Sequence, residues 1–499
     1  MSSKNPIKFG TDGWRGIIAE DFTFENVRIC AQAVALYMHQ SGLAKRGLVI
    51  GYDSRFASKE FASAAAEVIS ANRIKVYLCD KIEPTPVISY GVVAKKAGGA
   101  IVITASHNPA KWNGFKIKSQ DGASAPTAVI AEIEKIVESV FNSGTVKRLP
   151  LSEAIDKGLV EYTDLYPAYR AQIARLVDLE GIKKARLKIA IDSMCGAGGG
   201  YFKKLLEESG GEIIELNALP NPAFPGMKQP EPIAVNLAAL SEVIKSEKAD
   251  AGLATDGDAD RIGVMDENGS FLTQLQVYAL LALYMLEVRG EHGAIIKTIT
   301  TTAMLDKLGK IYNVPVYETK VGFKYVAPLM VEHNALIGGE ESGGYGIRGH
   351  VPERDALLAG LCFLDFMVKT GKKPTQLLKD LYDRVGEHHY DRVDIEFAEE
   401  RRTTITERVR NSHPKTLDGM EVVKEDNIDG FRYTLADGTW LLIRFSGTEP
   451  LLRIYAESNN PQRVKRLLEA GRKIAGAELQ SIKTQQLAER SVIKEKKSL

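Results

Sequence analysis

The sequence predicts three tandem α/β units followed by an α+β domain of a different kind. Three observations carry this. A strand–helix alternation starts near the N-terminus and restarts near residues 185 and 293. The rhythm changes after about residue 388. At roughly 150 residues per domain, a chain of 499 residues has room for three or four domains.

In the first unit, "GLVIGYDS" is a short apolar run closed by a turn, "KEFASAAAEVISANR" has helical spacing, and "KVYLCD" and "GAIVITAS" are apolar strands. Strands alternating with helices imply parallel pairing through right-handed crossovers. The second unit reads "ARLKIAIDS" as strand, "GYFKKLLEESG" as a helix ended by Gly, and "EIIELNA" and "ADAGLAT" as strands. The third reads "GAIIKTIT", a helix through "TAMLDKLGKIY", then "VPVYETK" and "NALIGG". Only the rhythm recurs between the units. Near the C-terminus, "TWLLIRFSGTEPLLRIYAES" reads as two strands around a tight loop, and "PQRVKRLLEAGRKIAGAELQ" as an amphipathic helix with Pro at its start.

Composition excludes several classes. Lys plus Arg is 65 against 64 Asp plus Glu, a net charge of +1. Nothing there calls for a nucleic-acid or acidic-membrane partner. Cys30, Cys79, Cys195 and Cys362 form no CxxC pair, so no zinc site or disulfide framework is expected. The N-terminal "MSSKNPIKFGTDGW" lacks the apolar core of a signal peptide, and "VYALLALYML" is far short of the ~20 residues a membrane span needs. The expectation is a soluble, cytoplasmic protein.

In α/β sheets, ligands gather at the carboxyl ends of strands, so the loops leaving strands are the places to look. In "TASHNPAKWNGFKIK", Ser106 follows an apolar run, Pro109 forbids an ordinary helix interior and Asn113-Gly114 marks a second turn. A Ser there can be a nucleophile or phosphate carrier, with His107 and Lys116 as local titratable groups, or the loop can be plain punctuation. In "TDGDADR", Asp256, Asp258 and Asp260 alternate after a strand, so their side chains would point one way in an extended segment. Three such carboxylates repel unless a cation sits among them, and oxygen ligands suit Mg²⁺ or Ca²⁺. An EF-hand fits poorly, because Arg261 stands where that loop needs Gly and the flanks read as strands. A solvated acidic turn is the bland alternative.

In "GGEESGGYG", Glu340, Glu341 and Ser342 lie between glycines that let a ligand approach the backbone. Carboxylates and a hydroxyl suit sugar hydroxyls, although an exposed Gly-rich turn reads the same way. In "RFSGTEP", Arg444 offers a fork for phosphate, and Ser446, Gly447 and Thr448 offer hydroxyls and backbone N–H groups for an anion-binding nest. An ordinary hairpin loop is the alternative. Arg453 on the following strand adds positive potential.

Together these four motifs, in this order, resemble the α-D-phosphohexomutase family over nearly the whole chain. "FGTDGWRG" resembles the family's opening segment, which brings Arg15 to the active site. The resemblance implies three α/β domains of mixed sheet with helices on both faces plus a C-terminal α+β domain, arranged around a central cleft with one loop from each. The expected domains are 1–152 (phosphoserine), 153–270 (metal), 271–387 (sugar) and 388–499 (phosphate, with a C-terminal helix and tail). Ser106 would carry the phosphoryl group. Asp256, Asp258 and Asp260 would hold Mg²⁺, with a phosphoserine oxygen completing the site and Arg261 beside it. Glu340 and Ser342 would bind sugar hydroxyls. Arg444, Ser446, Gly447 and Thr448 would clamp the phosphate that is not reacting. Lys320, in "ETKVGFK", matches a lysine near substrate, and Lys116 one that assists proton transfer. His107 would orient the loop or touch the phosphate.

The activity so implied is transfer of a phosphoryl group between the 1- and 6-positions of a hexose phosphate through a hexose 1,6-bisphosphate intermediate. Glu341 resembles phosphoglucomutases. Phosphoglucosamine mutases more often show Gln there, and bifunctional phosphomannomutase/phosphoglucomutases often Met. Both of those groups usually place His where Gly344 stands, and His350 is a substitute or merely a loop His. The expected substrate is glucose phosphate, with mannose phosphate as alternative and phosphoglucosamine mutase, phosphatase and non-catalytic binder ranked lower. Small-molecule hexose phosphates are the expected partners, of a monomer or homodimer.

Overall fold

A computed structural model of the protein describes residues 5–10, 12–206, 210–446 and 451–476. The chain divides into two compact units. One comprises Met1–Thr301 and Leu305–Leu381, the other Thr302–Met304 and Tyr382–Leu499.

The first unit contains three sheets. Its six-stranded sheet runs, in spatial order, Trp14–Ile17, Trp112–Lys118, Ala100–Ile103, Leu48–Tyr52, Val76–Cys79 and Val160–Thr163. Leu48–Tyr52 is buried along its whole length and pairs in parallel with both neighbours, which is why it reads as a continuous apolar run. Val160–Thr163 pairs in parallel with Val76–Cys79, so this sheet draws a strand from beyond residue 152. The five-stranded sheet has Lys188–Asp192 between Glu212–Leu216 and Ala251–Thr255, both parallel to it, with Ile262–Met265 and Phe271–Leu272 added antiparallel. In the four-stranded sheet, Ile295–Thr298 is parallel to Val316–Thr319 and Ile337–Gly339, and Tyr345–Ile347 closes the edge antiparallel.

The same device appears three times. A buried parallel strand ends, a short loop follows, and the chain returns as an antiparallel neighbour: Ala100–Ile103 to Trp112–Lys118, Ala251–Thr255 to Ile262–Met265, and Ile337–Gly339 to Tyr345–Ile347. The serine, aspartate and sugar motifs each fill one of these hairpins.

The second unit is one antiparallel six-stranded sheet covered by the helix Pro461–Ala475. Pro461 occupies the first turn of that helix, and Asn460 caps it by accepting from the N–H groups of Gln462 and Arg463. The core joins Ile443, Ile454, Leu467 and Leu468. Buried Glu457 accepts from Thr302 Oγ1 (2.5 Å), Ala303 N (2.8 Å) and Trp440 Nε1 (2.8 Å), which holds residues 302–304 within this unit. Among the described residues no helix is long and apolar enough to cross a membrane.

Candidate active site

Ser106 is almost fully buried and sits at φ +52°, a conformation costly for a residue with a Cβ. Its N–H donates to Thr104 Oγ1 (2.8 Å), and its hydroxyl donates to Asp256 Oδ2 (2.8 Å) in the hairpin of the second sheet. His107 Nδ1 lies 3.4 Å from Ser106 Oγ. Burial, with the positive charges of Arg261 and Arg15, pushes the His107 imidazole well below its ordinary pKa, so it is neutral. Arg15 Nη1 donates to Asn108 Oδ1 (2.5 Å).

Asn113-Gly114 does not form the expected second turn. Both residues lie inside the strand Trp112–Lys118. Asn113 is fully buried and donates to Ser58 Oγ (3.0 Å). A Cβ on Gly114 would meet the carbonyl oxygens of Thr104 and Trp14, so the glycine serves close backbone approach rather than a bend.

Asp256, Asp258 and Asp260 are all fully buried. They converge, though not by extended alternation. Residues 256–261 form a tight turn, with Ala259 at φ +56° and Asp256 Oδ1 accepting from the N–H groups of Asp260 (3.0 Å) and Arg261 (3.1 Å). Lys116 Nζ contacts Asp12 (2.8 Å), Asp258 (2.9 Å) and Asp260 (3.4 Å). Although burial alone would lower its pKa, these carboxylates raise the Lys116 value, so the ammonium stays charged. Burial raises Asp258 too, but Lys116 and the Thr85 hydroxyl (2.7 Å) outweigh it and hold that carboxyl far below the usual range. Asp256 goes the other way: burial and the two neighbouring aspartates push it well above its usual value.

This is a site that fits a divalent cation. The three carboxylates bring ligand oxygens within 4.8 Å of one another. Oδ1 of Asp258 and of Asp260 are buried without a hydrogen-bond partner among the described residues. An all-carboxylate set suits a hard cation such as Mg²⁺. A second acidic group, Asp80, Glu83 and Asp164, already holds an ammonium, since Lys81 Nζ is 2.7 Å from Asp164.

The sugar hairpin meets the same centre through a residue that sequence reasoning missed. Arg354 is 3% exposed and spans Asp12 (2.7 Å), Asp260 (2.8 Å) and Glu340 (3.3 Å). Burial would raise Glu340, and Arg354 and Arg261 oppose that; the net direction is upward. A Cβ on Gly344 would run into the Arg354 side chain, with Cγ at 2.8 Å, so a larger residue at 344 and Arg354 in this place exclude each other. Ser342 Oγ is buried with no hydrogen-bond partner among the described residues. Arg261 faces Glu231 (3.5 Å) and Asp260 (3.9 Å).

His350 packs elsewhere. Its ring stacks on Tyr90, meets Tyr169 edge-on, and pairs with Asp355 (3.1 Å), the residue that caps the helix Ala356–Thr370. Lys320 follows the strand Val316–Thr319 and is exposed. Asp12 and Thr85 were also unforeseen. Asp12 lies in "FGTDGW", three residues before Arg15, and Thr85 begins a helix with no motif of its own.

In the second unit, Arg444 and Arg453 stand directly opposite each other on paired strands. Asp429 (3.0 Å) and Asp394 (3.8 Å) face them respectively. Two like charges directly opposite repel, and the facing carboxylates offset that repulsion. Ser446 N donates to Leu451 O (2.8 Å), and Ser446 O accepts from Arg402 Nη1 (3.0 Å). Gly447 and Thr448 lie outside the described residues.

The chain matches four phosphoglucomutase/phosphomannomutase domain families in order: alpha/beta/alpha domain I over residues 6–143, domain II over 167–269, domain III over 274–385 and the C-terminal domain over 407–474. It is 33% identical to a phosphoglucomutase/phosphomannomutase of Thermococcus kodakarensis, covering 93% of this chain and 98% of that protein. It is 33% identical to a probable phosphoglucosamine mutase of Methanosphaera stadtmanae, covering 92% and 95%. A solved chain from Thermus thermophilus, provisionally named a phosphomannomutase, superposes with a TM-score of 0.82 at 33% identity, covering 94% and 99%.

Proposed function

The chain belongs to the phosphoglucomutase/phosphomannomutase family of intramolecular phosphotransferases, and from that premise we propose that it interconverts hexose 1-phosphate and hexose 6-phosphate, with glucose phosphate preferred. The observation that carries the reading is the meeting of Ser106 Oγ with Asp256 Oδ2 at 2.8 Å, across hairpins from two different sheets. A serine hydroxyl beside a carboxylate cluster that fits a cation supports Ser106 as phosphoryl carrier.

Ser106 carries the phosphoryl group. In the forward half-reaction a sugar hydroxyl attacks phosphorus, the bond from phosphorus to Ser106 Oγ breaks, and a hexose 1,6-bisphosphate forms. The proton lost by the sugar hydroxyl is balanced by the one gained by the departing serine oxygen; Lys116 assists that transfer, and neutral His107, 3.4 Å from Ser106 Oγ, orients the serine loop. In the return half-reaction the bisphosphate has turned over, Ser106 attacks its other phosphate, and the protons move back. Mg²⁺ held by Asp256, Asp258 and Asp260, with Ser106 beside them, would neutralise charge on the transferring group. Arg15 and Arg261 add fixed positive charge. Glu340 and Ser342 bind sugar hydroxyls, and Lys320 binds substrate. Arg444, Arg453 and the loop from Ser446 through Gly447 and Thr448 take the phosphate that is not reacting.

Glu341 supports glucose. The name of the Methanosphaera relative supports glucosamine phosphate as a second reading, and that of the Thermococcus relative supports mannose. One hydroxyl is worth little or much depending on whether a site is built to bond it, so the three sugars are tested together. The test supplies glucose, mannose and glucosamine 1-phosphates with Mg²⁺ and hexose 1,6-bisphosphate as primer, and follows intact mass. Glucose should give the highest kcat/KM, and the protein should gain one phosphoryl group that Ser106→Ala abolishes. No turnover of any sugar and no uptake would sink the mutase reading. A higher kcat/KM for another sugar would replace glucose only.

A further inference from the structure

Arg55 sits on none of the four motifs and bonds no side chain expected to bind metal or substrate, yet its guanidinium holds the backbone that carries Ser106. It is 3% exposed. Nη2 donates to the carbonyl oxygens of Ser106 (2.6 Å) and Asn108 (2.6 Å), and Nη1 to those of Pro109 (3.0 Å) and Trp112 (2.9 Å). Nε faces Asp53 Oδ2 (3.3 Å), and the ring of Phe224, from the second sheet's connecting loop, covers the guanidinium at 5.0 Å. The four Nη N–H groups of the fork therefore each meet a carbonyl oxygen, while Nε stands at ion-pair distance from Asp53 without a hydrogen bond among the described residues.

The Ser106 carbonyl is confined from the other side as well. A Cβ on Gly257, inside the aspartate turn, would come within 2.5 Å of Ser106 O. The serine hairpin and the aspartate turn thus touch backbone to backbone, and Arg55 fixes the carbonyl at the point of contact. That carbonyl belongs to the residue at φ +52°, so the clamp also maintains a conformation the serine would not hold unaided.

We propose that Arg55 is the positioning residue of the phosphoryl carrier: it sets Ser106 Oγ against Asp256 and keeps it there through both half-reactions. The proposal rests on the mutase reading above. Phosphoryl transfer depends on alignment, and a displacement of about 1 Å costs about 10²-fold in rate. Lysine cannot substitute, because an ammonium has three donors and no planar fork to serve four carbonyls.

The experiment compares wild type, Arg55→Lys, Arg55→Ala and Asp53→Asn in the full chain with Mg²⁺ and bisphosphate primer. Arg55→Lys should lower kcat about 10²-fold while KM stays within about threefold, and should slow phosphoryl uptake on Ser106 by a similar factor. Added guanidinium at millimolar concentration should restore part of the kcat of Arg55→Ala and none of that of Arg55→Lys. Asp53→Asn keeps the Oδ1 acceptor for Arg55 N (3.0 Å) and Ser58 Oγ (3.0 Å) but turns an amide donor toward Arg55 Nε. It should lower kcat about tenfold and keeps the test decisive if the Arg55 variants fail to fold. Active wild type together with folded variants of unchanged kcat, or a loss confined to KM, overturns the proposal. An inactive wild type overturns the mutase reading instead.

Discussion

Replacing Lys116 with Met tests how the buried charges of the site are balanced. Lys116 touches three carboxylates, but they do not lose equally. Asp12 and Asp260 each keep Arg354, at 2.7 and 2.8 Å. Among the described residues Asp258 keeps only the Thr85 hydroxyl at 2.7 Å, with its other oxygen without a hydrogen-bond partner. The substitution therefore strips one fully buried carboxylate of its ion partner. Breaking one buried pair from one side costs about 3–5 kcal/mol. The measurement is urea denaturation followed by emission of Trp14 and Trp112, both in the first sheet, in a Trp440→Phe background.

The same variant should bind divalent cations more tightly. Lys116 places a positive charge 2.9 Å from a proposed ligand, and its removal should strengthen Mn²⁺ binding at least tenfold, or about 1.4 kcal/mol. Mn²⁺ at about 100 times its dissociation constant should then return about 2.7 kcal/mol of the lost stability. Lys116→Arg should keep the ion pairs and stability while losing about 10²-fold or more in kcat, since guanidinium does not give up its proton. A Lys116→Met protein that unfolds at the wild-type midpoint, or binds Mn²⁺ more weakly, would refute the charge balance argued here.

Two further outcomes follow from buried carboxylates away from the centre. Burial pushes Glu83 from its ordinary 4.5 up to about 7, against the Tyr201 hydroxyl and Lys81. The folded state thus holds a proton that the unfolded chain releases, and stability falls as pH rises through that window by about 3 kcal/mol in total. Glu83→Gln still accepts from Tyr201 and should flatten this slope, making the variant the more stable protein above about pH 7; unfolding midpoints against pH that rise across the window in wild type would contradict this. Glu457→Ala removes the acceptor shared by the Thr302, Ala303 and Trp440 donors, at about 1–3 kcal/mol for a buried donor that loses its partner, and should lower the Trp440-detected unfolding midpoint while leaving the Trp14 and Trp112 transition in place.

What the sequence disclosed was local. Strand runs such as "LVIGY" and "AGLAT" are buried on both faces and therefore apolar throughout, so their ends, and the loops after them, were legible. Asn113-Gly114 misled because the pair marks turns statistically, whereas here Asn113 bonds Ser58 and Gly114 admits two carbonyls. The aspartates converge for a reason that residue spacing could not disclose: a tight turn closed by hydrogen bonds to Asp256 does what extended alternation was expected to do. Arg55 and Arg354 left no local trace. Arg354 bonds Asp12 across 342 positions and Arg55 bonds Ser106 across 51, and an arginine's task is set by what faces it.

Why the chemistry falls in these three hairpins is itself a physical question. A parallel strand delivers the chain to the sheet edge where ligands gather. An ordinary crossover would then carry it away through a helix, leaving a loop anchored at one end. An immediate antiparallel return anchors the loop at both ends by ladder hydrogen bonds, as Ile103↔Phe115, Thr255↔Ile262 and Gly339↔Tyr345 do here. Such a loop can hold Ser106 and Ala259 in left-handed conformations and bury unpaired carboxylate oxygens, both of which a loosely held segment would relax. The cost of strain and of buried charge is then borne by three sheets, and buried arginines from outside the hairpins complete the fixing: Arg55 under the serine, and Arg354 between the aspartates and the sugar loop.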